Sequence, residues 1–403
     1  MEIDMKKASL GSFLVVFCLT LYAMFTNNVI AKEPISDVKE RATFDGFETG
    51  IGIGGWLTNY KRFNVLPEDR RLQLSVGDFE HFDSYITESD VKNIASFNVK
   101  CIRLGFDQIV VEESPGVYRE RIFLLIDRFI NDCEKYNLNV VLNLHKAIGN
   151  YCDIKEKVEL LDDQGLQDRF VNLWLAFEKR YANKPNVAFE LLNEIRNVDP
   201  QKWNNLAERT VQAIREINPT RKIIIGSTCW NSPDTLKDLR LYDDPNIIYT
   251  FHFYEPFSFT HQQGVLQADP LYYNRKMAYP SDIEPYRDYE RYVHNAENPY
   301  PNTERMDKEW IRSRLQPAFD FAKAHPDKII WLGEFGTIRH CKIEYRENWM
   351  RDVISLAKEN GIPYCAWNYL STPNDGNRFS LVDDDDRTIL SPALLKIIRG
   401  EID

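Results

Sequence analysis

The chain repeats one unit: a short apolar run followed by a longer stretch with helical periodicity. The apolar runs occupy residues 50–55, 100–104, 139–144, 187–192, 223–226, 247–251, 329–332 and 364–366. Amphipathic stretches separate most of them, at 89–97, 122–136, 167–181, 203–217, 308–324 and 344–359. Apolar strands with no polar face, alternating with helices, belong in a parallel sheet covered on both sides. Eight such units fit a (β/α)8 TIM barrel, an α/β fold, and 403 residues suit a single domain with long loops on the C-terminal face of the strands. The link after the fifth run is short and rich in Pro and Asp, so its helix is in doubt. A doubly wound sheet is the alternative, but Gly50-Ile51-Gly52-Ile53-Gly54-Gly55 lacks the spacing of a dinucleotide-binding turn.

Polar residues fall where these runs end. The second gives Ile102-Arg103-Leu104, the third Asn143-Leu144-His145, and the fourth Glu190-Leu191-Leu192-Asn193-Glu194. The fifth leads to Trp230, the sixth to His252-Phe253-Tyr254, the seventh to Gly333-Glu334-Phe335-Gly336 and the eighth to Ala366-Trp367-Asn368. Any one of these groups alone has an ordinary structural explanation. In a barrel, however, all the strand C-termini converge on the face where barrel enzymes do their chemistry.

Glu194 and Glu334 stand out, because glycoside cleavage needs one carboxylic acid to protonate the leaving oxygen and one carboxylate to attack, or to activate water. Asn193 is placed to bond a sugar hydroxyl, Arg103 and Tyr254 to orient Glu334, and His145 and His252 to complete the hydrogen-bonded surround. Trp367 and Trp230 offer faces on which a pyranose ring stacks. Sequence gives no carboxylate separation, so retention and inversion both remain open.

These segments resemble glycoside hydrolase family 5, the cellulase family. Leu192-Asn193-Glu194, His252-Phe253-Tyr254, Gly333-Glu334-Phe335-Gly336, Ile102-Arg103-Leu104 and Leu144-His145 carry the resemblance, supported by Gly54-Gly55-Trp56-Leu57 and Tyr85-Ile86-Thr87-Glu88. It spans about residues 44 to 395 and matches in both order and strand position. It implies a retaining double displacement on a plant-type β-glucan, with Glu334 as nucleophile and Glu194 as general acid/base. It also implies no cofactor. A β-mannanase, a β-1,3-glucanase or exo-β-glucosidase on the same barrel, and an exported carbohydrate-binding protein are the alternatives. The last of these would be expected to lose a carboxylate, yet both are present. A metal-dependent barrel hydrolase would want His-x-His after the first strand, where Gly54-Gly55-Trp56 stands instead. No metal site is expected, since no Cys-x-x-Cys or His/Cys cluster occurs.

The remaining features set context. Lys6 and Lys7 precede an uncharged run over 8–31 that ends in Val29-Ile30-Ala31, which reads as a secretory signal peptide, with an uncleaved anchor as the alternative. Cys18 follows a Phe17 too bulky for a good lipidation box. The domain then runs over 32–403, in a secreted or periplasmic monomer whose partner is a polysaccharide or oligosaccharide, with no stable membrane contact once cleaved. Net charge is −11 with no Lys/Arg stripe, so nucleic acid is not expected as a partner. Six cysteines lie beyond residue 31, an even number that permits disulfides, although Cys101, Cys229 and Cys365 read as lone thiols in or beside strands. Two long connections, 57–85 and 255–306, read as functional loops. The second carries Tyr272, Tyr273, Tyr279, Tyr286, Tyr289, Tyr292 and Tyr300, which either wall off one end of the cleft or pack the loop on itself. Asp383-Asp384-Asp385-Asp386 reads as a solvated acidic turn rather than a calcium loop.

Overall fold

The computed structural model describes residues 42–59, 74–151, 158–264, 268–372 and 376–402. The expected signal peptide, Cys18 and Cys152 lie outside them. Eight parallel strands close into a barrel: β1 (Thr49–Leu57), β2 (Cys101–Asp107), β3 (Asn139–Lys146), β4 (Val187–Glu190), β5 (Ile223–Gly226), β6 (Ile247–Phe253), β7 (Ile329–Phe335) and β8 (Tyr364–Ala366). Each pairs with its sequence neighbours, and β8 pairs with β1. The TIM-barrel expectation holds, and each of the eight apolar runs became a strand.

Helices cover the outside. They include α1 (Val76–Ser84), α2 (Glu88–Ser96), α3 (Glu120–Lys135), α4 (Gln164–Tyr181), α5 (Pro200–Ile217), α6 (Glu284–His294), α7 (Lys308–Ala324), α8 (Ile343–Glu359) and α9 (Pro392–Ile398). Their apolar stripes face the strands. In α3, Ile122, Ile126, Phe129, Ile130 and Cys133 recur at three- and four-residue steps and are all buried. After β5 there is only a turn at Thr228–Asn231 and a 3-10 segment at Pro233–Asp238, in line with the doubt about a helix there.

Side chains alternate across each strand, so every second residue enters the barrel. The lowest interior layer is apolar, built from Cys101, Val141, Ala188, Ile224, Ile248, Trp331 and Cys365. Phe44 and Phe47, stacked at 4.4 Å, pack into the same cluster. Two residues further along the strands the same alternation brings in Arg103, Asn143, Glu190, Gly226, Thr250 and Gly333. The interior thus turns polar towards the C-terminal end, which is where a site can form.

Residues 255–306 differ from the expected structureless loop. Their described residues hold α6, short helices at Phe257–Thr260 and Ala268–Tyr273, and a two-stranded ribbon of Ser281–Asp282 with Arg305–Met306. Tyr279 and Tyr286 are fully buried, and the Tyr279 hydroxyl donates to Asp352 of α8 at 2.7 Å. The described part of this segment thus packs on its own aromatics and on α8. The acidic turn also differs. Asp385 and Asp386 are exposed, but Asp384 is buried and paired with Arg339 and Arg378 at 2.8 and 2.9 Å. Two guanidinium groups reward burial of that carboxylate, which composition alone did not reveal. Among the described cysteines, Cys101, Cys133, Cys229, Cys341 and Cys365 are all free thiols.

Candidate active site

Glu334 reaches the cleft through an irregularity in its strand. Trp331 points inward, so strict alternation would turn Glu334 outward. The pairing of β7 with β6 shifts between Leu332 and Glu334, and Glu334 lies opposite His252. This extra residue is a β-bulge, a device that re-aims a side chain. Gly333 makes it possible, because a Cβ there would sit 2.4 Å from Thr250 Oγ1.

Glu334 is buried and fully engaged. Arg103 Nη1 donates to Oε1, and the Tyr254 hydroxyl donates to Oε2 at 2.9 Å. Arg103 has its own anchor: Nε and Nη2 donate to the two oxygens of Glu190 at 2.6 and 2.8 Å, and Nη2 also donates to Asn193 Oδ1 at 2.8 Å. Arg103 and Glu190 are both completely buried. Burial works against the guanidinium charge, but Glu190 and Glu334 outweigh it and keep it protonated. Burial, with the neighbouring Glu334 charge, holds the Tyr254 hydroxyl well above its usual range, so it stays a donor.

Glu194 lies beyond the end of β4, with a left-handed backbone (φ 38°). Backbone bonds from Asn193 N–H to Leu144 O (2.9 Å) and from Trp230 N–H to Ile195 O (2.7 Å) tie this segment between β3 and the turn after β5. His252 Nδ1 lies 3.0 Å from Glu194 Oε1 and 3.7 Å from Glu334 Oε2. Burial depresses the His252 imidazole to about 4, so it is neutral at ordinary pH. One oxygen of each glutamate and a nitrogen of His252 lie within 4.8 Å of one another. Those three are also the one donor group among the described residues able to surround a cation. Arg103 and Tyr254 already supply Glu334 with a positive charge and a hydrogen-bond donor.

His145 and Trp367 line another side. Their rings stack at 5.5 Å, 14° apart. His145 Nδ1 lies 3.0 Å from Asn143 Oδ1, and Nε2 lies 3.2 Å from Asn59 Nδ2. Burial, then the Arg103 charge, pushes His145 well below its usual value. Trp367 covers β1, where a Cβ at Gly52 or Gly54 would come within 2.7 Å of its ring. Trp367 itself is part-buried against the core.

A family model described as cellulase (glycosyl hydrolase family 5) matches residues 68–372. The chain belongs to glycosyl hydrolase family 5. It is therefore a glycosidase, and the reading as a non-catalytic binding protein falls away. Endoglucanase C of Acetivibrio thermocellus is 38% identical over 362 residues, which cover 87% of this chain and 98% of that one. Cellodextrinase A of Ruminococcus flavefaciens is 28% identical over 79% of this chain and 84% of its own. In fold, the chain is similar to the endoglucanase Cel5A of Thermotoga maritima, with a TM-score of 0.67 at 23% identity, covering 88% of this chain and 97% of that one.

Of the residues picked from this family-5 sequence, Arg103, Asn193, Tyr254 and Glu334 form one hydrogen-bonded set, and His252, within hydrogen-bond distance of Glu194, lies 3.7 Å from Glu334. His145 and Trp367 stand together as a second wall. Trp230 is 43% exposed on a left-handed turn after β5. Two members escaped sequence reading. Glu190 looked like one polar residue in an apolar run, although its two-residue offset from inward Ala188 carried the signal. Asn231, fully buried beneath His252, sits in a turn with no periodicity to mark it.

Proposed function

We propose that this family-5 glycosidase is an endo-β-1,4-glucanase that cleaves with retention of configuration. The observation that carries the reading is the short Glu194–Glu334 separation, within 4.8 Å between oxygens. Retaining enzymes hold their carboxyls about 5–5.5 Å apart, and inverting ones leave about 6.5–9.5 Å for a water. Glu334, held by Arg103 and Tyr254, attacks the anomeric carbon as Glu194 gives its proton to the leaving oxygen. A glycosyl ester on Glu334 results. Glu194 then takes a proton from water, which attacks the same carbon and releases Glu334. Neutral His252 orients Glu194 without adding charge, Asn193 bonds a sugar hydroxyl, and Trp367 stacks on a pyranose ring. The endoglucanase relatives support the substrate class.

The test is hydrolysis of carboxymethylcellulose, mixed-linkage β-glucan, laminarin, xylan and mannan. A rapid fall in viscosity on β-1,4-glucans, with release of short oligosaccharides, is the expected result. Release of single units from chain ends, or action confined to mannan or laminarin, would overturn the endo-glucanase reading. The segment over residues 1–31 is proposed as a cleaved export signal, with the secreted protein starting at Lys32 in N-terminal sequencing.

A further inference from the structure

Three consecutive residues after β5, Cys229, Trp230 and Asn231, have φ of 57°, 57° and 56°. A run of left-handed residues is costly and persists where its surroundings over-determine it, which happens at functional sites. Two contacts do so here. The Cys229 and Trp230 N–H groups donate to Arg196 O and Ile195 O, at 3.3 and 2.7 Å, just after Glu194. The turn also drives the Asn231 side chain into the barrel, where it is fully buried with Nδ2 3.2 Å from His252 Nε2. Gly226 leaves the room: a Cβ there would lie 2.5 Å from Asn231 Oδ1.

Resting on the assignment of Glu194 as acid/base, we infer that Asn231 is a positioning residue that fixes the His252 tautomer and so reserves the Glu194 proton for the leaving oxygen. A neutral imidazole carries one N–H. Nδ1 faces two carboxylates, Glu194 and Glu334, and is the better place for it. Nε2 is then a bare acceptor and needs a donor, which the Asn231 amide supplies. In this tautomer His252 has no lone pair to offer Glu194, so it neither removes the proton nor becomes an imidazolium beside it. The other charged groups acting on His252 are Arg103 and Glu190, and His145 is neutral.

Asn231→Asp keeps the shape and tolerates the left-handed backbone, but replaces the donor with an acceptor. It draws a proton onto Nε2, and the resulting imidazolium favours ionised Glu194. Asn231→Gly keeps the backbone and removes the amide. The readout is kcat/KM from pH 4 to 9 on two aryl β-cellobiosides, one with a dinitrophenolate leaving group that needs no acid and one with a poor leaving group. For Asn231→Asp the basic limb on the poor substrate is expected to move down by about 1 pH unit, in keeping with one new charge in contact. Both variants are expected to lose ~10-fold or more on the poor substrate and under about 3-fold on the dinitrophenyl one. Equal losses on both substrates, or no loss, with the basic limb unmoved would overturn the inference, even if melting temperature falls. Glu194→Ala is run alongside. If it shows no leaving-group dependence, the acid/base assignment itself fails; if it does and the Asn231 variants do not, only the Asn231 inference fails.

Discussion

Glu190→Gln isolates the buried ion network under Glu334. Glu190 is completely buried and accepts from Arg103 through both oxygens, at 2.6 and 2.8 Å. Glutamine has the same shape but one acceptor and one NH2. One Arg103 N–H would therefore face another donor, and one of the two balancing charges would be gone. Breaking a buried pair costs about 3–5 kcal/mol. Glu334 still neutralises the guanidinium, so the low end, about 3 kcal/mol, is expected. A folded unit of about 360 residues unfolds with an entropy near 0.76 kcal/mol/K, so Tm drops by about 4 °C. Differential scanning calorimetry at pH 7 reads this directly. Lys135→Ala, which breaks the exposed Lys135–Glu88 pair, serves as the control and leaves Tm within about 1 °C. If Glu190→Gln melted within 1 °C of wild type, the pair would not bear on the fold as argued.

Further outcomes follow from the same contacts. Tyr254→Phe removes one charge-assisted hydrogen bond from Glu334, so kcat/KM on cello-oligosaccharides falls about 10- to 150-fold, the equivalent of about 1.5–3 kcal/mol, with Tm little changed. His252 and His261 are depressed by burial, to about 4 and about 3, from a usual 6.5. The unfolded chain therefore binds more protons below about pH 6.5, and stability falls as pH drops from 6.5 towards 4. His261→Gln flattens that slope in chemical denaturation, and a slope equal to wild type would refute its source. Trp367→Ala removes the stacking platform against His145 and weakens the Kd for cello-oligosaccharides about 2- to 10-fold, as isothermal titration with an otherwise inactive variant would check.

The barrel was legible because strands buried on both faces must be apolar along their length, and because their polar ends fell in register. Arg103, Glu194, Tyr254 and Glu334 could be picked out by position for that reason. What stayed hidden depends on backbone geometry that periodicity does not encode. The bulge at Gly333 reverses the parity of β7, and without it Glu334 would point away from the cleft. Three left-handed residues bury Asn231 and leave Trp230 exposed. The tyrosines of 255–306 pack against α6, α7 and α8, and tertiary contact turned an apparent loop into helices. Asp384 was misread because one of its two partners, Arg339, lies 45 residues away in sequence, and its other, Arg378, sits in an irregular segment with no periodicity to mark it.

The division of labour between Glu194 and Glu334 is tested most directly by azide rescue of Glu194→Ala and Glu334→Ala on an activated aryl β-cellobioside, with products assigned by proton NMR. Each variant alone is expected to lose ~10³-fold or more on unactivated glucan. With azide, Glu194→Ala should give the β-glycosyl azide, because azide meets the ester on Glu334. Glu334→Ala should give the α-glycosyl azide, because azide takes the place of the missing nucleophile. The reverse pairing of anomers, or full activity in either variant without azide, would contradict the assignment.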